Sequence, residues 1–122
     1  MTSRRRCLWL CGLAPLMLVS SAEAGSYLNR AAMLVAQASR ESEYLRGRSN
    51  DKDLAELVRR VAVARLDAAS RMNVPKEVVQ AHPHLLLALE NYDRSADAAV
   101  EGHNDRFLVY QQRARDQEVI LR

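Results

Sequence analysis

Glycine and proline occur at only five positions beyond residue 24, and their spacing constrains the fold more than any other sequence feature. These positions are Gly25, Gly47, Pro75, Pro83 and Gly102. Between them, apolar side chains recur every three or four residues, which is the period of an amphipathic helix. No segment alternates apolar and polar residues between turn residues, so we expect no β-sheet.

The first half of this region predicts two helices. The first covers about 26–46, and Gly47 is expected to end it in a left-handed conformation. The second begins after the capping residues 49–51. The predicted inward positions are Leu28, Ala31, Leu34 or Val35, Ala38 and Leu45 in the first helix, and Leu54, Leu57, Val58, Val61, Ala64 or Arg65, Ala68 and Met72 in the second.

The second half predicts a broken helix and a final one. A short helix at about 75–81 is followed by a break at His82-Pro83, because a proline inside a helix clashes with the preceding turn. A long helix then runs to Glu101, and Gly102 ends it. The last helix starts at His103 or Asn104, with inward positions Phe107, Leu108, Gln111, Ala114, Glu118 and Leu121. Short connections make neighbouring helices antiparallel. The prediction is an all-α, up-down antiparallel bundle of about four helices, the third broken or kinked near Pro83.

The first 24 residues have the pattern of a cleavable signal peptide. Three arginines, Arg4 to Arg6, precede an apolar run at 7–19, and Ala22 and Ala24 suit cleavage before Gly25. The run is shorter than the roughly 20 residues that span a bilayer, so no permanent membrane anchor is expected. We therefore predict a signal peptide at 1–24, a single domain at 25–122, and a bacterial protein that is periplasmic or secreted, by the general secretory or the twin-arginine route.

Cleavage would change the composition that matters for function. Both cysteines leave with the signal, so the mature domain has no disulfide. Removal of residues 1–24 reduces the number of basic residues from 18 to 15 and the number of acidic residues from 15 to 14, which leaves a net charge of about +1. The remaining aromatic residues are not interleaved with clustered basic ones, so nucleic-acid binding is not expected.

His82 and His84 are the candidate metal ligands. A His-x-His pair in extended backbone can hold copper or zinc. His103 lies about 20 residues along the helix, near 30 Å away, and cannot join them within one chain. The alternative is that both histidines belong to an ordinary helix start.

One face of the third helix carries a row of acidic residues, Glu90, Asp93, Asp97 and Glu101. Such a row can hold a cation or act as general acid and base, but we favour a solvated face that pairs with arginines. No serine lies in a nucleophile elbow and no glycine-rich phosphate loop occurs, so the sequence predicts no enzyme.

The alanine-rich helices around the turn from Ala98 to Gly102 resemble the soluble b-type cytochromes of the periplasm over the last forty residues. That resemblance implies haem held by a methionine on the first helix, matched by Met33, and a histidine on the last helix. Residues 104–121 contain no histidine. No cofactor is therefore expected.

Protein–protein interaction is the class of function that remains. Tyr27, Tyr44 and Tyr110 are candidate interface anchors, although tyrosines also thicken an alanine-rich core. The sequence favours an exported bundle that binds an unidentified protein or self-associates. The alternative is a periplasmic metal or small-ligand carrier that uses His82 and His84 or the bundle interior.

Overall fold

The computed structural model describes the backbone of residues 2–121 and the side chains of residues 22–121. It contains four α-helices and one 3-10 turn, and these residues form no strand. The elements are α1 (Thr2–Arg46), α2 (Lys52–Ser70), the 3-10 turn (Lys76–Val78), α3 (His82–Val100) and α4 (Asn104–Leu121). The predicted all-α bundle of four helices is confirmed. The signal-peptide prediction falls largely outside the residues whose side chains are described.

Local sequence accounts for most of the helix ends. The side chain of Asp51 accepts a hydrogen bond from the backbone N–H of Leu54 at 3.1 Å and caps the start of α2. Pro83 lies in the first turn of α3, where its missing N–H removes no helical hydrogen bond. The predicted break is therefore present, and it takes the form of a 3-10 turn followed by a new helix start at His82.

The glycines that follow α1 and α3 have different conformations. Gly102 has a φ of 79°, and the N–H groups of Gly102 and His103 donate to the carbonyls of Ala99 and Ala98 at 3.1 and 2.8 Å. This is the paired hydrogen-bond pattern of a left-handed helix end. The prediction of the same conformation at Gly47 is wrong, because the φ angle of Gly47 is not positive. The chain turns there through a hydrogen bond from the Arg48 N–H to the Leu45 carbonyl.

The core consists of two clusters along the bundle. One contains Tyr27, Leu85, Leu89 and Tyr92, and the other contains Leu45 and Phe107; alanines from all four helices fill the space between the large side chains. Helix α3 packs on every other helix, whereas α1 and α4 approach one another less closely. No helix within the described residues is long and apolar enough to cross a bilayer.

Five predicted inward positions are instead exposed: Ala68 and the four larger residues Leu28, Leu57, Val61 and Leu108. The exposed fractions are 51% for Leu28, 59% for Leu57, 39% for Val61 and 36% for Leu108.

The largest error is in α2, where Leu57, Val61 and Ala68 face solvent and Ala55, Ala62 and Ala69 face the core. The other predicted inward positions of α2, among them Leu54, Val58 and Met72, do pack on the core. The rotation of α2 leaves an apolar line exposed to solvent.

Candidate functional site

Helix α2 carries two apolar stripes, of which the bundle uses one. The inner stripe contains the buried residues Ala55, Ala62, Arg65 and Ala69. The second stripe, called here the outer seam, consists of Leu54, Leu57, Val61, Ala64 and Ala68. Its members are separated by three, four, three and four residues, which is the heptad spacing of a coiled-coil contact line.

Most of the outer seam faces solvent. Leu57, Val61, Ala64 and Ala68 are exposed, and Leu54 is half-buried. A shallow depression of about 340 Å³ lies between the seam and α1, where Arg40, Glu41 and Tyr44 form its other wall. An apolar line of this length beside a depression is a surface on which another helix can pack.

Charged side chains flank the outer seam. Arg60 and Asp67 precede Val61 and Ala68 by one residue each, so both lie on the same rim of the seam. Each is engaged within α2: Arg60 with Glu56 at 3.3 Å, and Asp67 with Arg71 at 3.3 Å. These contacts join exposed side chains, so they contribute little stability and can be exchanged for other partners.

A buried ion pair fixes α2 against α1 beside the depression. The guanidinium group of Arg65 contacts the carboxylate of Glu41, and the Arg65 side chain is 6% exposed. A buried arginine without an acidic partner would be strongly destabilising, so this contact requires the two helices to keep their mutual register. The wall between the outer seam and α1 is therefore preformed.

A second cavity of about 560 Å³ lies between α1 and the end of α4. Its apolar lining includes Leu28, Val35 and Leu121, while Ser39 and Arg40 lie toward one end. The guanidinium of Arg40 contacts the Ala36 carbonyl at 3.4 Å and has no acidic partner among the described residues. The volume falls within the range of small-molecule pockets.

Polar contacts hold α1, α3 and α4 together around this cavity. The Tyr92 hydroxyl donates to Glu118 at 2.8 Å, and the amide of Gln111 donates to the hydroxyl of Ser42 at 2.8 Å. Glu43 accepts from Gln111 at 3.3 Å and pairs with Arg115.

The two candidate metal ligands each have a protein partner. His82 Nδ1 lies 2.9 Å from the Tyr27 hydroxyl, and His84 Nδ1 lies 2.9 Å from Gln117 Oε1. Among the described residues, no group of three or more histidine, cysteine or acidic side chains is arranged to hold a metal ion. Metal binding at His82 and His84 would have to use their Nε2 atoms and stays a prediction.

The three tyrosines occupy different environments. Tyr27 is 1% exposed, so it is a core residue and the prediction of an exposed anchor there is wrong. Tyr44 is 53% exposed, and the Arg48 guanidinium lies 3.8 Å from its ring centre. Tyr110 is half-buried, with Arg113 at 5.4 Å and Arg94 at 5.9 Å from its ring centre. Only Tyr44 of the three adjoins the outer seam.

The acidic row of α3 is engaged mainly with arginines. Glu90 pairs with Arg94 at 2.7 Å, and Asp97 pairs with Arg59 of α2 at 3.0 Å. Burial raises the pKa of Asp93, an effect that the nearby Arg59 opposes. The contact between Asp97 and Arg59 joins α2 to α3, whereas the pair of Glu90 and Arg94 lies within α3.

The outer seam was not predicted as a surface, because its residues were assigned, together with Val58 and Met72, to the inward stripe of α2. The strict heptad spacing at 54, 57, 61, 64 and 68, beside a second set seven residues apart at 55, 62 and 69, is the signal that separates the two. Ala22, Ala24 and Gly25 lie within α1, and cleavage between residues 24 and 25 stays a prediction. No protein-family model, curated protein or solved structure matches this chain.

Proposed function

We propose that this chain is an exported helical-bundle protein that acts by binding a protein through the outer seam of α2. The observation that carries the proposal is the solvent exposure of Leu57 and Val61 on a heptad line of which the bundle buries only Leu54 in part. A monomer with no partner gains nothing from exposing such a line, since burying each of these side chains is worth about 1.5–3 kcal/mol.

The surroundings of the outer seam support the same proposal. Tyr44 and Arg48 stack at its edge, and tyrosine and arginine are enriched in protein interfaces. The ion pair between Arg65 and Glu41 holds the neighbouring wall in place, which lowers the entropy cost of docking. The arginine-rich start of the chain, the apolar run and the Ala22-x-Ala24 site support export to the periplasm or the medium.

Site-specific photo-cross-linking in the native host tests this function. A photoreactive amino acid replaces Leu57 in one variant and Val63 in a matched control, which is on the same helix, 46% exposed and off the seam. We expect a covalent adduct with a protein from position 57 and little from position 63. Equal adducts from both positions, or none from either, would overturn the proposal.

The cavity between α1 and α4 supports a second candidate function. Its volume of about 560 Å³ and its mainly apolar lining, in which Arg40 and Glu118 are the charged residues, suit a small apolar molecule with polar groups at one end. Intact-mass measurement of the protein from the same cells distinguishes the two. Non-covalently bound extra mass of a few hundred daltons, together with no protein adduct at position 57, would favour a carrier.

A further inference from the structure

The exposed α2 face has the charge pattern of a surface that binds its own copy. Resting on the proposed function, we propose that the partner on the outer seam is a second copy of this chain. In this dimer the two α2 helices pack antiparallel across a two-fold axis between Val61 and Ala64.

The sizes of the seam residues favour this register. In it, Leu57 packs against Ala68 of the partner subunit, and Val61 packs against Ala64 of the partner subunit. The two-fold axis repeats both contacts with the roles exchanged. Each of the four layers therefore combines one large and one small side chain, so the helix axes can stay parallel at a constant, close separation.

The charges on the rim favour the same register. Arg60 comes opposite Asp67 of the partner subunit, and Asp67 opposite Arg60 of the partner subunit. Both side chains are well exposed, at 75% for Arg60 and 58% for Asp67, so they are free to turn toward a second copy. The symmetry thus produces two ion pairs from one arginine and one aspartate.

Other alignments do not pair these opposite charges. Shifting the antiparallel register by one heptad brings Arg60 against Arg60 of the partner subunit. A parallel arrangement gives Arg60 no acidic partner, because the position that faces it in a parallel coiled coil is Arg65 of the partner subunit, and Arg65 is buried and already paired with Glu41. Of these alignments, only the antiparallel register pairs Arg60 with Asp67 of the partner subunit.

The α1 wall gives this dimer additional contact area. A helix docked on the outer seam also covers the depression of about 340 Å³ beside Tyr44 and Arg40. Tyr44 is 53% exposed, so the part of its ring that Arg48 does not cover supplies apolar surface to the docked helix. The interface would therefore comprise α2 and one side of α1 from each copy.

Charge exchange tests the arrangement, with sedimentation velocity on the purified mature protein as the readout. Arg60→Asp places aspartate opposite Asp67 of the partner subunit, and Asp67→Arg places arginine opposite Arg60 of the partner subunit. We expect a wild-type dimer and a Kd for dimerisation raised roughly tenfold or more in each single variant. The double variant R60D/D67R restores both ion pairs with reversed sign and should dimerise like wild type.

Arg106→Asp is the matched control, because it makes the same charge change at an exposed position on α4. Its dimer should be as stable as wild type, and circular dichroism should show all variants folded.

A dimer insensitive to the single exchanges, or not restored in the double variant, would overturn the arrangement. A wild-type monomer whose position 57 cross-links to a different protein would overturn this inference and leave the proposed function standing. No protein adduct at position 57 would overturn both.

Discussion

The hydroxyl group of Tyr92 is a buried ionisable group that makes stability depend on pH. Tyr92 is 3% exposed, and its hydroxyl donates a hydrogen bond to Glu118 at 2.8 Å. Burial raises the pKa of Tyr92 well above its usual 10.0, and the neighbouring Glu118 adds to the increase. The folded protein therefore keeps this hydroxyl protonated at a pH at which the unfolded chain has already lost the proton.

Because the unfolded state ionises first, the free energy of unfolding should fall as pH rises above about 10 and should be unaffected by Tyr92 below that value. Urea unfolding at a series of pH values between about 9 and 11 measures the slope. Tyr92→Phe should make the decline shallower, although Tyr27, whose pKa burial also raises, keeps part of it. Tyr44→Phe, at an exposed position, is the control and should leave the slope unchanged. Equal slopes in wild type and Tyr92→Phe would contradict this explanation.

Individual residues show where sequence reasoning reached its limit. Asp51, Pro83 and Gly102 act within a few residues of themselves, so local pattern was enough to predict that helices begin or end beside them. The partner of Arg65 is Glu41 on another helix, and the partner of Tyr27 is His82, 55 residues along the chain. Such contacts depend on how helices are rotated and aligned, which local pattern does not specify.

At the scale of the element, α2 shows why its inward face was predicted wrongly. The outer seam contains the larger side chains Leu54, Leu57 and Val61, and these dominate any estimate of hydrophobicity. The bundle instead uses the alanine stripe, because Leu45, Tyr92 and Phe107 from the other helices already fill the interior. Small side chains at the fully buried positions let α2 approach α1 and α3 closely, while Leu54, Val58 and Leu66 pack at the edges of the core.

Two alanines on α2 provide a matched test of this rotation. Ala62 is 3% exposed on the inner stripe, and Ala64 is exposed on the outer seam. Ala62→Leu should cost about 1–3 kcal/mol of unfolding free energy, because it forces extra volume into a packed interior. Ala64→Leu should change stability by less than about 0.5 kcal/mol. Chemical denaturation at low protein concentration measures both, and equal costs at the two positions would show that the rotation of α2 is different.

For the whole molecule, the predicted cleavage site and the start of the core coincide. Tyr27 lies two residues beyond the predicted cut and belongs to the cluster that contains Leu85 and Leu89. Its hydroxyl also lies 2.9 Å from His82 Nδ1, so it joins the start of the predicted mature chain to the start of α3. The order of the segments and the bundle architecture were predictable from sequence, whereas the role of Tyr27 as a core residue required the packing to be known.

A chain that begins at Gly25 should therefore keep the whole core, and one that begins at Asn29 should not. Loss of Tyr27 removes a fully buried aromatic side chain, so the free energy of unfolding of the shorter chain, measured by urea denaturation, should be about 3–5 kcal/mol lower. Tyr27→Phe in the longer chain separates packing from hydrogen bonding, because it keeps the ring and loses only the contact with His82, at a cost of about 0.5–1.5 kcal/mol. If both chains unfold at the same urea concentration, the first turn after the predicted cut does not hold α1 on the bundle, and the core begins at Ala31 instead.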